Sequence, residues 1–192
     1  MPRVVLLGGP NGAGKTTVAS RVLRDYLSLR EYVNADTLAA GLSAFNPESV
    51  GIEAGRVMLR RLRALVNEKA DFAFETTLAS RSFAPFLEEC RKGGYETTVV
   101  FLWLPSADLA VERVLARVRT GGHSVPEPVI RRRFATGWRN FLDLYRQVSD
   151  DWQLYENSSA APNLIASGGR QLETEVFDPL VWEVVRRGPQ KP

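Results

Sequence analysis

Residues Gly9-Pro10-Asn11-Gly12-Ala13-Gly14-Lys15-Thr16 fit the pattern G-x-x-x-x-G-K-[ST] in full, with Thr17 following. The chemistry that pattern serves is the grip on a polyphosphate. Glycines let successive backbone N–H groups converge on one anion, and a helix starting at the lysine adds its positive end. Lys15 then reaches the β- and γ-phosphates and the Thr16 hydroxyl holds Mg²⁺. Two carboxylates sit where they could face that phosphate, Asp36 after Asn34-Ala35 and Glu75 before Thr76-Thr77. A third set is cationic: residues 112 to 139 hold seven arginines against Glu112 and Glu127, a local charge of +5 that leaves −2 for the rest of the chain. A phosphate cradle, a hydroxyl for a metal, a carboxylate to activate an acceptor and arginines to spread charge together describe phosphoryl transfer.

These residues need elements to carry them. Arg3 to Gly8 reads as a buried strand, and Lys15 to about Ser28 as a helix with Val18, Val22, Leu23 and Leu27 on or near its apolar face. Glu31 to Asp36 reads as a second strand that would place Asn34 and Asp36 on one side of its end. Asp36 is then either a site residue beyond a strand end or simply the cap of a helix beginning near Thr37. A helix from Asn46-Pro47-Glu48 to about Lys69 leads to a third strand, Phe72 to Thr77, whose carboxyl end carries Glu75, a charge that burial would oblige to be paired or to face a cation. Further helices are expected over Ser82–Arg91, Ala107–Arg119, Glu127–Ser149 and Asp178–Arg187, and strands over Thr97–Leu104, Trp152–Tyr155 and Leu164–Ser167. Arg113 and Arg117 stack four apart on one helix face. Arg133 lies about 60° from Ile130 on the helical wheel, within reach of a site beside the core, while Arg132 points almost opposite. The glycine-hinged loop around Thr120 to Pro126 reads as part of a mobile lid spanning about 119–133. Alternation of strand and helix predicts a single α/β domain over 1–192, a P-loop three-layer sandwich around a mainly parallel sheet of about five strands.

At 44% hydrophobic and 24% charged residues the composition is that of an ordinary globular protein. The lone Cys90 cannot form an internal disulfide, which points to a reducing, cytoplasmic setting. The longest strongly apolar run, Val99 to Leu104, is too short for a bilayer, and Lys15 arrives too soon for a secretory leader, so the expectation is a soluble protein without a membrane partner. The net charge of +3 is one focused patch, which suits a compact polyanion better than a nucleic-acid backbone. No N-K-x-D signature for guanine and no L-S-G-G-Q signature occurs. A small kinase remains, with a non-catalytic ATP-binding module and a kinase acting on another small molecule or a nucleic-acid end as alternatives.

The combination of Gly9 to Thr17, Asn34-Ala35-Asp36, Glu75-Thr76-Thr77-Leu78 and the Gly121-Gly122-His123-Ser124-Val125-Pro126 loop leading into Ile130 to Phe134 resembles the zeta toxin-like kinases, and the likeness extends through about Ser167. The resemblance implies ATP and Mg²⁺ as cofactors. It implies UDP-N-acetylglucosamine or a related nucleotide sugar as acceptor, phosphorylated on a hydroxyl, and an antitoxin protein as partner. It also implies Asp36 as the general base, with Asn34, Glu75, Thr77 and Arg81 lining the acceptor pocket. By similarity to the wider adenylate kinase-like group, Arg113 and Arg117 look like the base-side and phosphate-side arginines and Arg133 like the lid arginine, with Arg119 an alternative phosphate contact. The catalytic set is then Lys15, Asp36, Arg117 and Arg133. His123 is left outside it, since its loop gives it no fixed partner in the sequence.

Overall fold

A computed structural model describes residues 1–20 and 29–189 of the 192. Strands β1 (Arg3–Gly8), β2 (Glu31–Asn34), β3 (Phe72–Thr76), β4 (Glu96–Trp103), β5 (Asp151–Glu156), β6 (Asn163–Gly169) and β7 (Glu175–Val176) form one sheet in the order β2-β3-β1-β4-β5-β6-β7. The first five are parallel, and β6 and β7 extend the sheet by antiparallel pairing. The expected sheet of about five strands is therefore widened to seven. The strand expected at Leu164–Ser167 pairs antiparallel as β6, and the two-residue β7 is too short to leave a period in the sequence.

Val4 to Leu7 are all buried. Because successive strand residues point to opposite faces, burial of four in a row requires cover on both sides, which makes three layers. That cover comes from helices α1 (Lys15–Val18), α2 (Ala35–Leu42), α3 (Gly51–Asn67), α4 (Phe83–Lys92), α5 (Ala107–Arg119), α6 (Glu127–Asn140), α7 (Arg146–Val148) and α8 (Pro179–Arg186). No helix among the described residues is long and apolar enough to cross a membrane. The expected inward positions Val22, Leu23 and Leu27 lie outside the described residues.

Three elements depart from the sequence reading. The segment after Asn46 begins as a 3₁₀ turn, Pro47–Val50, and becomes α-helical only at Gly51. The helix expected over Glu127–Ser149 is interrupted by a π-helical stretch, Phe141–Tyr145. That stretch carries Phe141, stacked on Phe101 with ring centroids 4.6 Å apart, and Tyr145, both fully buried. Strand β2 stops at Asn34, and it is Asn34, not Asp36, that caps the next helix: its Oδ1 accepts from the N–H groups of Asp36 (2.7 Å) and Thr37 (3.3 Å). Asp36 therefore does not share a strand face with Asn34. It sits in the first turn of α2 with an exposed side chain.

From β1 the sheet extends through β3 and β2 on one side and β4 and β5 on the other. The crevice beyond the carboxyl end of β1 is the place where an open parallel sheet binds its ligands. The glycine-rich loop leaves β1 there.

Candidate active site

The loop from Gly9 to Gly14 closes on itself, with Ala13 N–H donating to the Pro10 carbonyl at 3.1 Å. Gly12 and Gly14 have φ of 80° and 82°, left-handed values that suit glycine. Gly14 has a second reason to lack a side chain, since a Cβ there would stand 2.8 Å from Asn157 Nδ2. Asn157 donates through that nitrogen to the Ala13 carbonyl at 2.7 Å, and Arg113 of α5 donates to the carbonyls of Asn157 (2.7 Å) and Ser158 (2.6 Å). The phosphate loop is thus clasped from behind by the β5–β6 connection and α5.

Lys15 is buried and its Nζ donates to the carbonyls of Gly9 and Pro10, each at 3.0 Å. Burial pulls its pKa below that of a free lysine, against the opposing pull of Glu75 and Asp36, while Arg117 and Arg133 push it further down. Beside it, Thr16 Oγ1 donates toward both oxygens of Glu75, at 3.3 and 3.5 Å. Glu75 lies next to Asn34 in the β2–β3 register and accepts from Asn34 Nδ2 at 2.8 Å and from the Tyr32 hydroxyl. One amide, that of Asn34, therefore orients the start of α2 with its oxygen and Glu75 with its nitrogen.

Two cavities adjoin. One of about 200 Å³ is walled by the phosphate loop, Lys15, Thr16, Thr17, Asp36, Glu75, Arg113 and Arg117. The other, about 360 Å³, lies between the small residues Ala35, Ala39, Gly51 and Ala54 and the roof formed by His123 to Pro126, with Asp36, Val129 and Arg133 completing it. Asp36 belongs to both. The roof is held by Arg117, which donates to the His123 carbonyl at 2.8 Å. Arg133 approaches the phosphate loop, its Nη1 at 3.5 Å from Asn11 Oδ1, and Arg132 is exposed, as the helical wheel requires.

Of the residues expected to act together, Gly9, Pro10 and Ala13 are buried and line neither of these two cavities, while Asn11, Gly12, Gly14, Lys15, Thr16, Thr17, Asp36, Glu75, Arg113, Arg117 and Arg133 line them. Asn34 is one step behind them and holds Glu75. Arg119 is exposed and Thr77 and Arg81 line neither cavity; the Thr77 carbonyl packs against Gly137 of α6, where a Cβ would come within 2.2 Å of it. Sequence reasoning overlooked Tyr32, although its place two residues before Asn34 on one strand face was a usable signal. It also overlooked Asn157, for which the sequence carries no signal, since its partner Ala13 is 144 residues away.

Thr16 and Glu75 offer hard oxygen donors side by side, and no cluster of three or more metal-ligating side chains occurs among the described residues. That donor set fits Mg²⁺, which binds through few protein oxygens and takes the rest from phosphates and water.

The zeta toxin family model matches residues 1–167. The chain belongs to the zeta toxin family. As a member it is 24% identical over 132 residues to an uncharacterized protein of Haemophilus influenzae, a match covering 69% of this chain and 92% of that one. It is similar in fold to a chain of the AvrRxo1-ORF1:-ORF2 structure solved with ATP, at a TM-score of 0.74 and 17% identity, over all of this chain and 65% of that one. It is likewise similar in fold to a chain from the PezAT chromosomal toxin-antitoxin system of Streptococcus pneumoniae, at a TM-score of 0.71 and 16% identity, over all of this chain and 80% of that one.

Proposed function

We propose that this zeta toxin family member is an ATP-dependent phosphotransferase that moves the γ-phosphate of ATP to a hydroxyl of a small acceptor, a nucleotide sugar such as UDP-N-acetylglucosamine. The observation that carries the reading is the position of Asp36, in the wall of both the phosphate cavity and the second cavity. A base that takes the acceptor proton as the acceptor oxygen attacks phosphorus must touch both reactants. In this reading the triphosphate lies on the Gly9–Gly14 loop, and Lys15 exchanges its two carbonyl partners for phosphate oxygens. Arg117 and Arg133 face the transferred group. The proton of the acceptor hydroxyl passes to Asp36, the new P–O bond forms, and the bond to the β-phosphate bridging oxygen breaks to release ADP. Mg²⁺, when bound beside Thr16, neutralises the charge that builds on the phosphate oxygens. Glu75 accepts a hydrogen bond from the Thr16 hydroxyl and serves the metal side, while the acceptor is enclosed by Ala39, Gly51, Ala54 and the His123–Pro126 roof. That loop, within the 119–133 segment, acts as the lid of a single kinase domain and excludes water from the transfer. A protein antitoxin partner is supported by the PezAT neighbour, itself part of a toxin-antitoxin system.

Incubation of the protein with ATP, Mg²⁺ and a panel of UDP-sugars, sugars and nucleosides tests the reading directly. A phosphorylated acceptor is the expected result; ATP binding with no transfer to any acceptor would point to a non-catalytic module instead. Asp36→Ala should lower kcat by a factor of about 10² to 10⁴, the worth of a general base, with ATP affinity nearly intact. Loss of ATP binding in that variant would move Asp36 to the nucleotide side.

A further inference from the structure

Glu75 is buried, and its hydrogen-bond donors Tyr32, Asn34 and Thr16 are all neutral. None of the ion pairs among the described residues involves it. Three donors on one carboxylate fix its direction. The fixing is shared by both oxygens: Oε1 takes Asn34, and Oε2 takes the Tyr32 hydroxyl and the nearer contact of Thr16. Without the phenol, Oε2 keeps only the Thr16 hydroxyl, the group the metal needs.

We propose that Tyr32 is a positioning residue for the divalent cation: its phenol holds the Glu75 carboxylate against Thr16, so that a metal arriving with the nucleotide meets a pre-aimed negative charge. The inference rests on the assignment of Glu75 to the metal side of the site. Tyr32 is placed for this by strand alternation, two residues before Asn34 on β2 and on the same face. Its ring is only partly buried, so packing alone asks for an aromatic residue and not for a hydroxyl. A glutamate has three side-chain torsions to immobilise, and fixing them before the ligand arrives removes that cost from binding.

The test is calorimetric titration of ATP with EDTA and with Mg²⁺, on wild type, Tyr32→Phe and Glu75→Gln, each checked for an unchanged melting midpoint. In wild type Mg²⁺ should strengthen ATP binding. In Tyr32→Phe metal-free affinity should be unchanged while the Mg²⁺ enhancement drops about tenfold, the worth of one hydrogen bond to a charged group. In turnover, the half-saturating Mg²⁺ concentration should rise by a similar factor, with kcat recovered at saturating metal. If Tyr32→Phe keeps the full enhancement while Glu75→Gln loses it, Tyr32 does not position the carboxylate. If Glu75→Gln also keeps it, the metal-side assignment of Glu75 fails first and the proposal with it. A Tyr32→Phe variant that loses metal-free affinity to the same extent, or melts earlier, would make the phenol a structural support only.

Discussion

Lys15 spends the ligand-free state as a buried ammonium held by two carbonyls, with its pKa pulled below 10.5. The direction of that shift fixes a sign. A polyphosphate beside Nζ favours the charged form and raises the pKa, so ATP binding at alkaline pH, between the depressed value and 10.5, must take up a proton. Calorimetry in two buffers of different ionisation enthalpy should detect that uptake in wild type and find none in Lys15→Met. By the same linkage, stability of the empty protein should rise with pH through that window, since the unfolded lysine binds more protons than the folded one. Cys90 gives a second residue-scale expectation. Burial pushes its thiol up to about 12, so it should resist thiol reagents in the native state and react only on unfolding. The contiguous phosphate loop was fully legible in the sequence, because its function depends on neighbours in the chain. The place of Asp36 beyond the end of β2 was legible, but its setting was not. Asn34 and Asp36 are both good caps, and Asn34 takes the role at a place where β3 also puts Glu75 within reach of its Nδ2.

At the scale of elements, α6 ties the roof of the second cavity to the β3 side. Arg133 approaches the phosphate loop; one turn later Gly137 lies against the Thr77 carbonyl, and Asn140 donates to the Leu78 carbonyl at 2.7 Å. The Tyr145 hydroxyl, at the end of the π-helical stretch, donates to the Ser80 carbonyl at 2.5 Å. These contacts hold a strained turn, for Leu78 has φ of 56°, a left-handed value that costs a non-glycine residue about 1 kcal/mol. Gly137→Ala should destabilise the protein by about 1–3 kcal/mol through overpacking against backbone, and shift Arg133 with it. Chemical denaturation and kcat are the measurements; a variant as stable and as active as wild type would show that α6 is not seated on Thr77. The amphipathic stripe of α6 and the π-helical stretch after it was readable from periodicity, and Ile130, Phe134, Trp138, Phe141, Leu142 and Tyr145 are all buried as that stripe requires. The π-helical interruption was not readable, because the apolar spacing of the stripe runs through it unchanged.

For the molecule as a whole, the charge asymmetry of the sequence resolves into work inside the site. Arg113, Arg117 and Arg133 turn toward the phosphate loop and its roof, while Arg131 pairs with Asp108 (2.7 Å) and Glu127 (2.8 Å) across the start of α5 and α6. A compact polyanion should therefore stabilise the fold. ATP with Mg²⁺ at about 100 times its Kd should add about 2.7 kcal/mol. For a chain of this size that raises the melting midpoint by about 5–10 °C, and Lys15→Ala should lose most of the rise. The alternation of strands and helices made the α/β class legible, whereas the antiparallel extension by β6 and β7 was only half visible, as one short apolar run without a direction. The shared amide of Asn34 has a consequence for how such a site can diverge. Because its oxygen seats Asp36 and its nitrogen seats Glu75, neither carboxylate can be re-aimed by altering Asn34 without moving the other. Asn34→Asp, for instance, keeps a cap but sets two negative charges face to face. A descendant of this chain that takes up a new acceptor is thus free to vary Ala39, Gly51, Ala54 and the roof, and is bound to inherit Asn34 unchanged.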